Sequence, residues 1–411
     1  MSEADRHLTK RPRKLRKMKA MVAFGFLLAA VAAAVVGLAL GASPWWLLLP
    51  LVVGLFTHRI LWRPGAVPVF TFHSVSDDSD WLPWAADISL GSELFDRQLA
   101  VLAATGCRVI STGELVDARR EGRPLAPRSV VLHLDDGYLD NWVAATPLLK
   151  KHGMPATVFV STDFITPGDD LRPTLGGGGA PLQWDGYLNA AEMRAMMDTG
   201  LVDIQAHGTD HGRIPVGPAS IGELTRDNWR NLAWVQWSAV PGDKSAWYRQ
   251  DEPTAVTLGS PVPENGPTLT SRRWHEGNRE TADEFAVRVQ NELTLCRREL
   301  GERLGRPPRV FCWPQNRTTD RARELALAAG FEATTGGWLE NRPDEDPTLI
   351  SRTHVGKNVL GVPCLTADVF FFRAQVGVGL GNYYWYPVLM LGQGVRNLIN
   401  AIKGAPQKSQ P

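Results

Sequence analysis

The hydrophobic pattern splits the chain into two apolar blocks and a long alternation of short apolar runs with amphipathic stretches. From Ala20 to Gly41, 22 positions pass without a charged residue, and Ala, Val and Leu dominate. That length suffices for a helix to cross a bilayer. Gly41, Ala42, Ser43 and Pro44 form a small-residue turn, followed by Trp45, Trp46 and a second uncharged run to Thr57, 13 residues in all. The second run is short for a crossing. We read residues 20–62 as a helical hairpin with both ends on the basic, cytoplasmic side of an inner membrane. The alternative is one crossing and an interfacial segment, which puts the remainder outside. A cleavable signal peptide would have a shorter apolar core.

Beyond Gly65 the period changes. Val67–Phe72, Val130–Leu134, Ala156–Val160, Leu201–Ala206, Arg309–Phe311 and Leu349–Val355 are compact apolar runs that predict buried strands. Ser92–Ala104, Glu114–Arg120, Asn141–His152, Ala190–Thr199, Ala282–Leu304 and Arg321–Ala329 carry helical spacing between them. Strands alternating with helices predict a parallel α/β domain over residues 65–360. Polar residues of chemical interest repeatedly follow strand ends, as in barrels whose active sites are built at that face. Asp77, Asp78 and Asp80 lie with Trp81 and Trp84 in a stretch that fits no complete calcium loop and reads as a solvated loop. Residues 234–280 lose the rhythm and read as an insertion placed to cover a groove. Residues 361–411 form an aromatic and apolar tail, suited to a membrane interface or to packing on the barrel.

Charge narrows the class. Lys and Arg number 44 against 43 Asp and Glu, a net charge of +1. A dedicated nucleic-acid binder carries a basic excess, so that partner is excluded. Basic residues crowd only the first 19 positions, from Arg6 and Lys10 to Lys19, ahead of the first apolar block. Four cysteines, none in a Cys-x-x-Cys pair, signal neither a zinc knuckle nor a disulfide framework.

Two strand ends carry the chemistry. Ser129–Leu134 runs into Asp135, Asp136 and Gly137. Adjacent carboxylates in a low-dielectric site need a cation or a proton to offset one of them. Leu201–Ala206 runs into His207, with His211 four residues on, a spacing at which two imidazoles share one metal. One carboxylate and two imidazoles make a three-ligand site with open positions, leaving the second carboxylate free as a base.

These residues resemble a known family. Asp135-Asp136-Gly137 is similar to the Thr-Phe-Asp-Asp-Gly motif of the polysaccharide deacetylases (NodB homology domain, carbohydrate esterase family four), with Leu134 in place of Phe and His133 in place of Thr. His207-Gly208-Thr209-Asp210-His211 matches the family's His-x-x-x-His motif. Phe311-Cys312-Trp313-Pro314-Gln315-Asn316 resembles the Phe-Ala-Tyr-Pro-Tyr-Gly stretch of the subgroup acting on poly-N-acetylglucosamine. The resemblance runs from Val67 to Val355, interrupted by the insertion. It implies a distorted or partial (β/α) barrel preceded by the membrane hairpin, and a metal-dependent hydrolase that removes the N-acetyl group of an amino sugar. By the same match, Asp136, His207 and His211 hold a divalent metal, zinc by expectation, and Asp135 is the general base. Trp313, Pro314 and Gln315 support the substrate or the oxyanion. His73 corresponds to a histidine after the first strand in that subgroup and is the favoured acid for the departing amine; His354 is the alternative. Many members steady the base with an arginine three residues before the motif's proline. Phe311 stands there in this chain, and Arg352 is the candidate replacement.

The leading expectation is a membrane-anchored N-deacetylase acting on a glycan or, for a cytoplasmic domain, a lipid-linked sugar. A deformylase or other amide hydrolase on a related sugar is the second reading. A non-catalytic carbohydrate-binding or assembly protein is the third, against which the complete Asp135, Asp136, His207 and His211 set argues.

Overall fold

A computed structural model describes residues 11–403; the basic positions Arg6 and Lys10 and residues 404–411 lie outside the described residues. Eight short strands form the main path of the central parallel sheet: β1 (Val69–Phe72), β2 (Ser129–Leu134), β3 (Ala156–Val160), β4 (Val202–Ala206), β5 (Val310–Phe311), β6 (Ala333–Gly337), β7 (Leu349–Ser351) and β8 (Thr353–His354); a ninth, Arg108–Val109, pairs with the start of β2 off this path. Their order is the order of the chain, with β8 returning to pair with β1. The apolar run Leu349–Val355 is therefore not one strand but two. β7 pairs with β6, β8 pairs with β1, and Arg352 alone separates them. A parallel sheet curled this far is a nearly closed barrel, split at a single residue, as the sequence led us to expect of a distorted (β/α) barrel.

The strand period explains what fills it. Alternate residues of a strand face opposite sides. Val69, Val131, Phe159, Cys312, Ala333 and Ile350 share one buried cluster with Leu115 and Val116 of the helix Thr112–Arg120. Phe70, Phe72, Leu132, Leu134, Val158 and Ile204 belong to the other, larger cluster with the surrounding helices. Phe72 meets Phe95 of the helix Ser92–Ala104 edge-on at 5.1 Å, a pair worth about 0.5–1.5 kcal/mol beyond area burial. The inward series continues by twos to the strand ends. Val131 and His133 lead to Asp135, Val69 and Thr71 lead to His73, and Ile350 leads to Arg352 and His354. Parallel strands all end on the same side, so these side chains collect at one mouth.

His133, the departure from the family threonine, occupies the interior. Its Nε2 is 3.0 Å from Thr112 Oγ1 and its ring lies 4.8 Å from that of Phe159. Burial and the nearby Arg352 charge drive its pKa down to about 3, so it is a neutral interior side chain.

Between β4 and β5 the chain makes an antiparallel hairpin, Arg213–Glu223 with Pro261–Pro267. The irregular excursion thus starts before the composition changes at residue 234. It builds a second core in which Trp229, Trp234, Trp237, Trp247 and Tyr248 pack with Tyr138, Phe164 and Tyr187 of the barrel loops. Trp81 and Trp84 join this core, and Asp77 caps the helix Ser92–Ala104 by accepting from Ser92 N at 2.7 Å. The stretch read as a solvated loop is therefore a structural bridge; aromatic burial outweighs its three acids.

The N-terminal blocks form helices α1 (Arg11–Ala39) and α2 (Leu48–Leu61), long and apolar enough to cross a membrane when the short helical turn Pro44–Leu47 is counted with α2. They lie together, with Gly37 against Trp46 and Gly54 against Leu27. Outward, Phe26, Leu55 and Phe56 are 64%, 66% and 75% exposed. Both ends of the pair seat on the barrel. Arg13 Nη1 donates to the Arg352 carbonyl at 3.1 Å, and Arg63 O accepts from Arg342 Nη2, in the loop between β6 and β7, at 2.8 Å.

Candidate active site

Asp135 and Asp136 sit where β2 turns away from the sheet. Asp136 takes a positive φ of 76° and Gly137 one of 68°. A side chain on Gly137 would meet Val160 at 3.0 Å, so close approach and backbone conformation both require glycine there. The left-handed turn sends the two carboxylates in different directions. Asp135 points to Arg352, whose Nη1 donates to both of its oxygens at 2.7 and 2.8 Å. Asp136 points to the histidines, with Oδ1 3.2 Å from His207 Nε2 and 3.7 Å from His211 Nε2.

The ligand atoms of Asp136, His207 and His211 lie within 4.8 Å of one another. His207 Nδ1 is 2.9 Å from the Cys312 carbonyl, which can only accept. Nδ1 therefore carries a proton, and Nε2 is left as a donor atom for a metal. His211 adopts a φ of 54°. The loop between the histidines is pinned at several points. Asp163 N donates to Thr209 O at 2.9 Å, Thr209 Oγ1 to Glu292 at 3.0 Å, and Lys244 pairs with Asp163. Left-handed conformations at Asp136 and His211 cost on the order of 1–3 kcal/mol each and persist where the surroundings over-determine them. A second convergent group, Asp135, His207 and Cys312, is also close. Its Asp135 oxygens already accept from Arg352 and its His207 turns Nδ1 to a carbonyl, so Asp136, His207 and His211 are the better donor set.

Burial raises the cost of ionising Asp135, but the charges of Arg352, His73 and His207 outweigh it and hold its pKa at about 2. His73 Nε2 is 3.8 Å from Asp135 Oδ2 on the other side of the carboxylate. His354 lies next to His73, ring centres 5.4 Å apart. Burial and the neighbouring His73 push the His354 pKa down to about 4.

The stretch after β5 supports this centre from below. Trp313 is fully buried, edge-on to Phe311 at 4.7 Å, and its backbone N–H donates to Thr335 Oγ1 at 3.0 Å. Pro314 opens a short turn in which Gln315 and Asn316 both have positive φ, 58° and 50°. Asn316 Oδ1 accepts from Arg352 Nε and Nη2 at 3.2 and 3.1 Å, and the Gln315 side chain accepts from Arg213. Of the expected supporting residues, Gln315 and Arg352 reach the cavity, while Trp313 and Pro314 lie behind it.

The cavity measures about 790 Å³ and contains Asp135, Asp136, His73, His207, His211 and His354. One wall is aromatic: Trp84, Trp234 and Trp237 with Tyr138, Phe164 and Tyr187. Trp84 Nε1 donates to Tyr138 Oη at 3.1 Å, and Trp247 Nε1 to Tyr187 Oη at 2.9 Å, which fixes the ring orientations. Sequence reasoning did not pick out this wall. The signal was present in the tryptophans of the first loop, Trp81 and Trp84, and in the run Trp229, Trp234, Trp237 and Trp247 at and before the insertion.

Residues 122–236 match the family model for polysaccharide deacetylase. A 274-residue stretch is 22% identical to the poly-beta-1,6-N-acetyl-D-glucosamine N-deacetylase of Escherichia coli K12, covering 66% of this chain and 34% of that protein. YxkH of Bacillus subtilis, which bears a polysaccharide deacetylase name, is 24% identical over 149 residues, 36% of this chain and 44% of its own length. The chain thus spans less than half of each of these curated relatives. In fold it is similar to a de-N-acetylase from Aggregatibacter actinomycetemcomitans, with a TM-score of 0.50, 20% identity, and coverage of 70% of this chain and 93% of that one. The segment that carries Asp135, Asp136, His207 and His211 at the barrel mouth thus lies within residues 122–236, the stretch that matches the polysaccharide deacetylase family model.

Proposed function

We propose that this protein is a membrane-anchored, divalent-metal-dependent N-deacetylase of an N-acetylglucosamine-containing glycan. One observation carries the reading: three metal-type donor atoms converge within 4.8 Å beside a separate, arginine-held carboxylate in a cavity of sugar dimensions. The name of the Escherichia coli relative supports the substrate class. Asp136 and the two Nε2 atoms fit a zinc-type donor set, with the His207 tautomer already fixed. When bound, the ion supplies Lewis-acid polarisation of the acetyl carbonyl and acidifies a water.

The chain's own groups do the rest. Asp135 accepts the proton of the attacking water as the new C–O bond forms at the acetyl carbon. Its low pKa keeps it ionised at neutral pH, and the two hydrogen bonds from Arg352 aim it. The low pKa makes it a weak base, which would suffice for a water acidified by an ion held on Asp136, His207 and His211. His73, on the opposite flank of Asp135, gives a proton to the amine nitrogen as the C–N bond breaks, releasing acetate and the free amino sugar. His354 lies next to His73 and, with a pKa of about 4, is the poorer proton store at neutral pH. The Trp84, Trp234 and Trp237 wall holds the apolar face of a pyranose ring, while the Gln315 turn backs the oxyanion.

The exposed apolar flanks of α1 and α2 support membrane insertion. Docking of both their ends on the barrel supports a hairpin, with the barrel on the basic, cytoplasmic side. In that topology a lipid-linked sugar is the accessible substrate. Acetate release by the purified full chain from poly-N-acetylglucosamine oligomers tests the activity. Loss of that release in Asp136→Asn, with an unchanged circular dichroism spectrum, is the expected result. A reporter fused at the C-terminus tests the side.

A further inference from the structure

A second large cavity, of about 670 Å³, lies at the other end of the barrel. It is lined by residues that lead into β1 and β2, Pro64–Val67 and Leu125–Arg128, whereas the active-site residues follow those strands. Its wall is mostly apolar, with Trp62, Leu125, Val376, Leu380 and Trp385. Five arginines line it as well, against Asp344 as the one acid among the described lining residues.

The arginines divide into two kinds. Arg119 spends its guanidinium on the Leu349 and Asp346 carbonyls at 3.0 and 2.7 Å, and Arg342 spends its own on Arg63 and Pro64 carbonyls at 2.8 Å each. These hold the cavity's shape. Arg123 pairs with Glu121 at 2.9 Å. Arg128 and Arg373 are exposed at the rim, and among the described residues neither side chain has a hydrogen-bond or ion-pair partner. Arg128 is also held at a φ of 61°, an unfavourable conformation for a long side chain.

The surroundings say what the rim faces. Trp62 ends α2, and Trp385 precedes the helix Tyr386–Ile402. That helix packs Gly392 against Phe371 and leaves Leu391, Leu398 and Ile402 exposed by 68%, 61% and 77%. Spaced by seven and four residues, the three share one face, the pattern of a helix lying in a bilayer surface. Tryptophans at the ends of apolar helices sit at the headgroup level. The cavity mouth is therefore at the depth of lipid phosphates, with two uncommitted guanidinium groups on its rim.

We propose that this cavity binds a phosphate-headed membrane lipid. The phosphate sits on Arg128 and Arg373, whose planar forks suit phosphate oxygens. The glycerol and the first chain carbons lie against Trp62, Leu125 and Trp385. The volume accepts the head and the start of the chains, which leave through the mouth into the bilayer. The site rests on the membrane reading of α1 and α2 and is independent of the catalytic one.

Native mass spectrometry of the full chain in non-ionic detergent tests it, with phosphatidylglycerol, phosphatidylcholine and inorganic phosphate as probes. Phosphatidylglycerol is expected to be retained at least ten-fold better than phosphatidylcholine. The Arg128→Ala/Arg373→Ala double variant should lose that preference while hydrolysing soluble oligomers at the wild-type rate. Equal retention of the two lipids, or a preference that survives in the double variant, overturns the proposal, as does inorganic phosphate displacing the lipid at equal concentration. Lipid retention in a protein that releases no acetate would instead leave this site standing and remove the catalytic reading.

Discussion

The Arg352 guanidinium reaches both oxygens of Asp135 across 217 residues of sequence, and its other nitrogens are held by Asn316. Arg352 is also the residue at which the barrel sheet splits between β7 and β8. The break in the sheet and the tether of Asp135 fall at one residue. Arg352 keeps the inward direction of the series from Ile350, while its carbonyl is satisfied by Arg13 of α1 instead of a strand.

Arg352→Met should therefore lower kcat by ten- to a hundred-fold with little change in KM, because it removes orientation of the base and not substrate contact. Breaking a buried ion pair from one side costs about 3–5 kcal/mol, so the melting temperature should fall as well. Arg352→Lys should recover stability more than rate, since an ammonium lacks the fork. Steady-state kinetics and thermal unfolding of the three proteins check this.

The Asp135 pKa sets a pH signature. Its folded value of about 2 lies below the ordinary 3.8 of an aspartate, so its pairing stabilises the fold fully above the unfolded pKa. That contribution is lost as pH falls through the folded value. The difference corresponds to about 2 kcal/mol. In chelator-treated protein, the unfolding free energy of wild type relative to Asp135→Asn should shrink by that amount between pH 5 and pH 2. A difference constant over this range would mean that Asp135 is not held ionised by Arg352.

His73→Gln and His354→Gln separate the two acid candidates. Loss of a general acid costs about 10²- to 10⁴-fold in rate. We expect that loss for His73→Gln. His354→Gln should lose less than ten-fold. The reverse pattern would reassign the acid.

Much of this was legible beforehand, and for a physical reason. Buried parallel strands read as apolar runs, so Val130–Leu134 declared itself; Leu201–Ala206, broken by Asp203 and Gln205, did so by alternation, and both marked what followed them. Asp136, His207 and His211 meet because β2 and β4, with β3 between them in one parallel sheet, end at the same mouth, which alternation implies. The split at Arg352 was not legible, because Leu349–Val355 has strand composition throughout and only pairing partners on both sides reveal the break. The aromatic wall was missed for a different reason. Trp84 lies among Asp77, Asp78 and Asp80, so local polarity pointed to solvent, while its burial depends on Trp237 and Trp247 more than 150 positions away.

That wall carries its own expectation. Trp237 meets Trp84, Phe164 and Trp247 edge-on and faces the cavity. Trp237→Ala should raise KM for oligomers about ten-fold with a smaller fall in kcat, the mark of lost binding common to ground and transition states. Trp237→Phe should restore most of it. A kcat defect alone would place Trp237 in the reaction and not in sugar binding.

The most direct measurement is acetate release from poly-N-acetylglucosamine oligomers by the full chain, before chelation, after it, and after zinc is added back. Coordination by Asp136, His207 and His211 predicts a fall of at least a hundred-fold on chelation. It also predicts recovery with zinc in wild type, no recovery in His207→Ala or His211→Ala, and about one bound ion per wild-type chain. Undiminished release from metal-free protein, or full zinc binding by both histidine variants, would contradict the account at its centre.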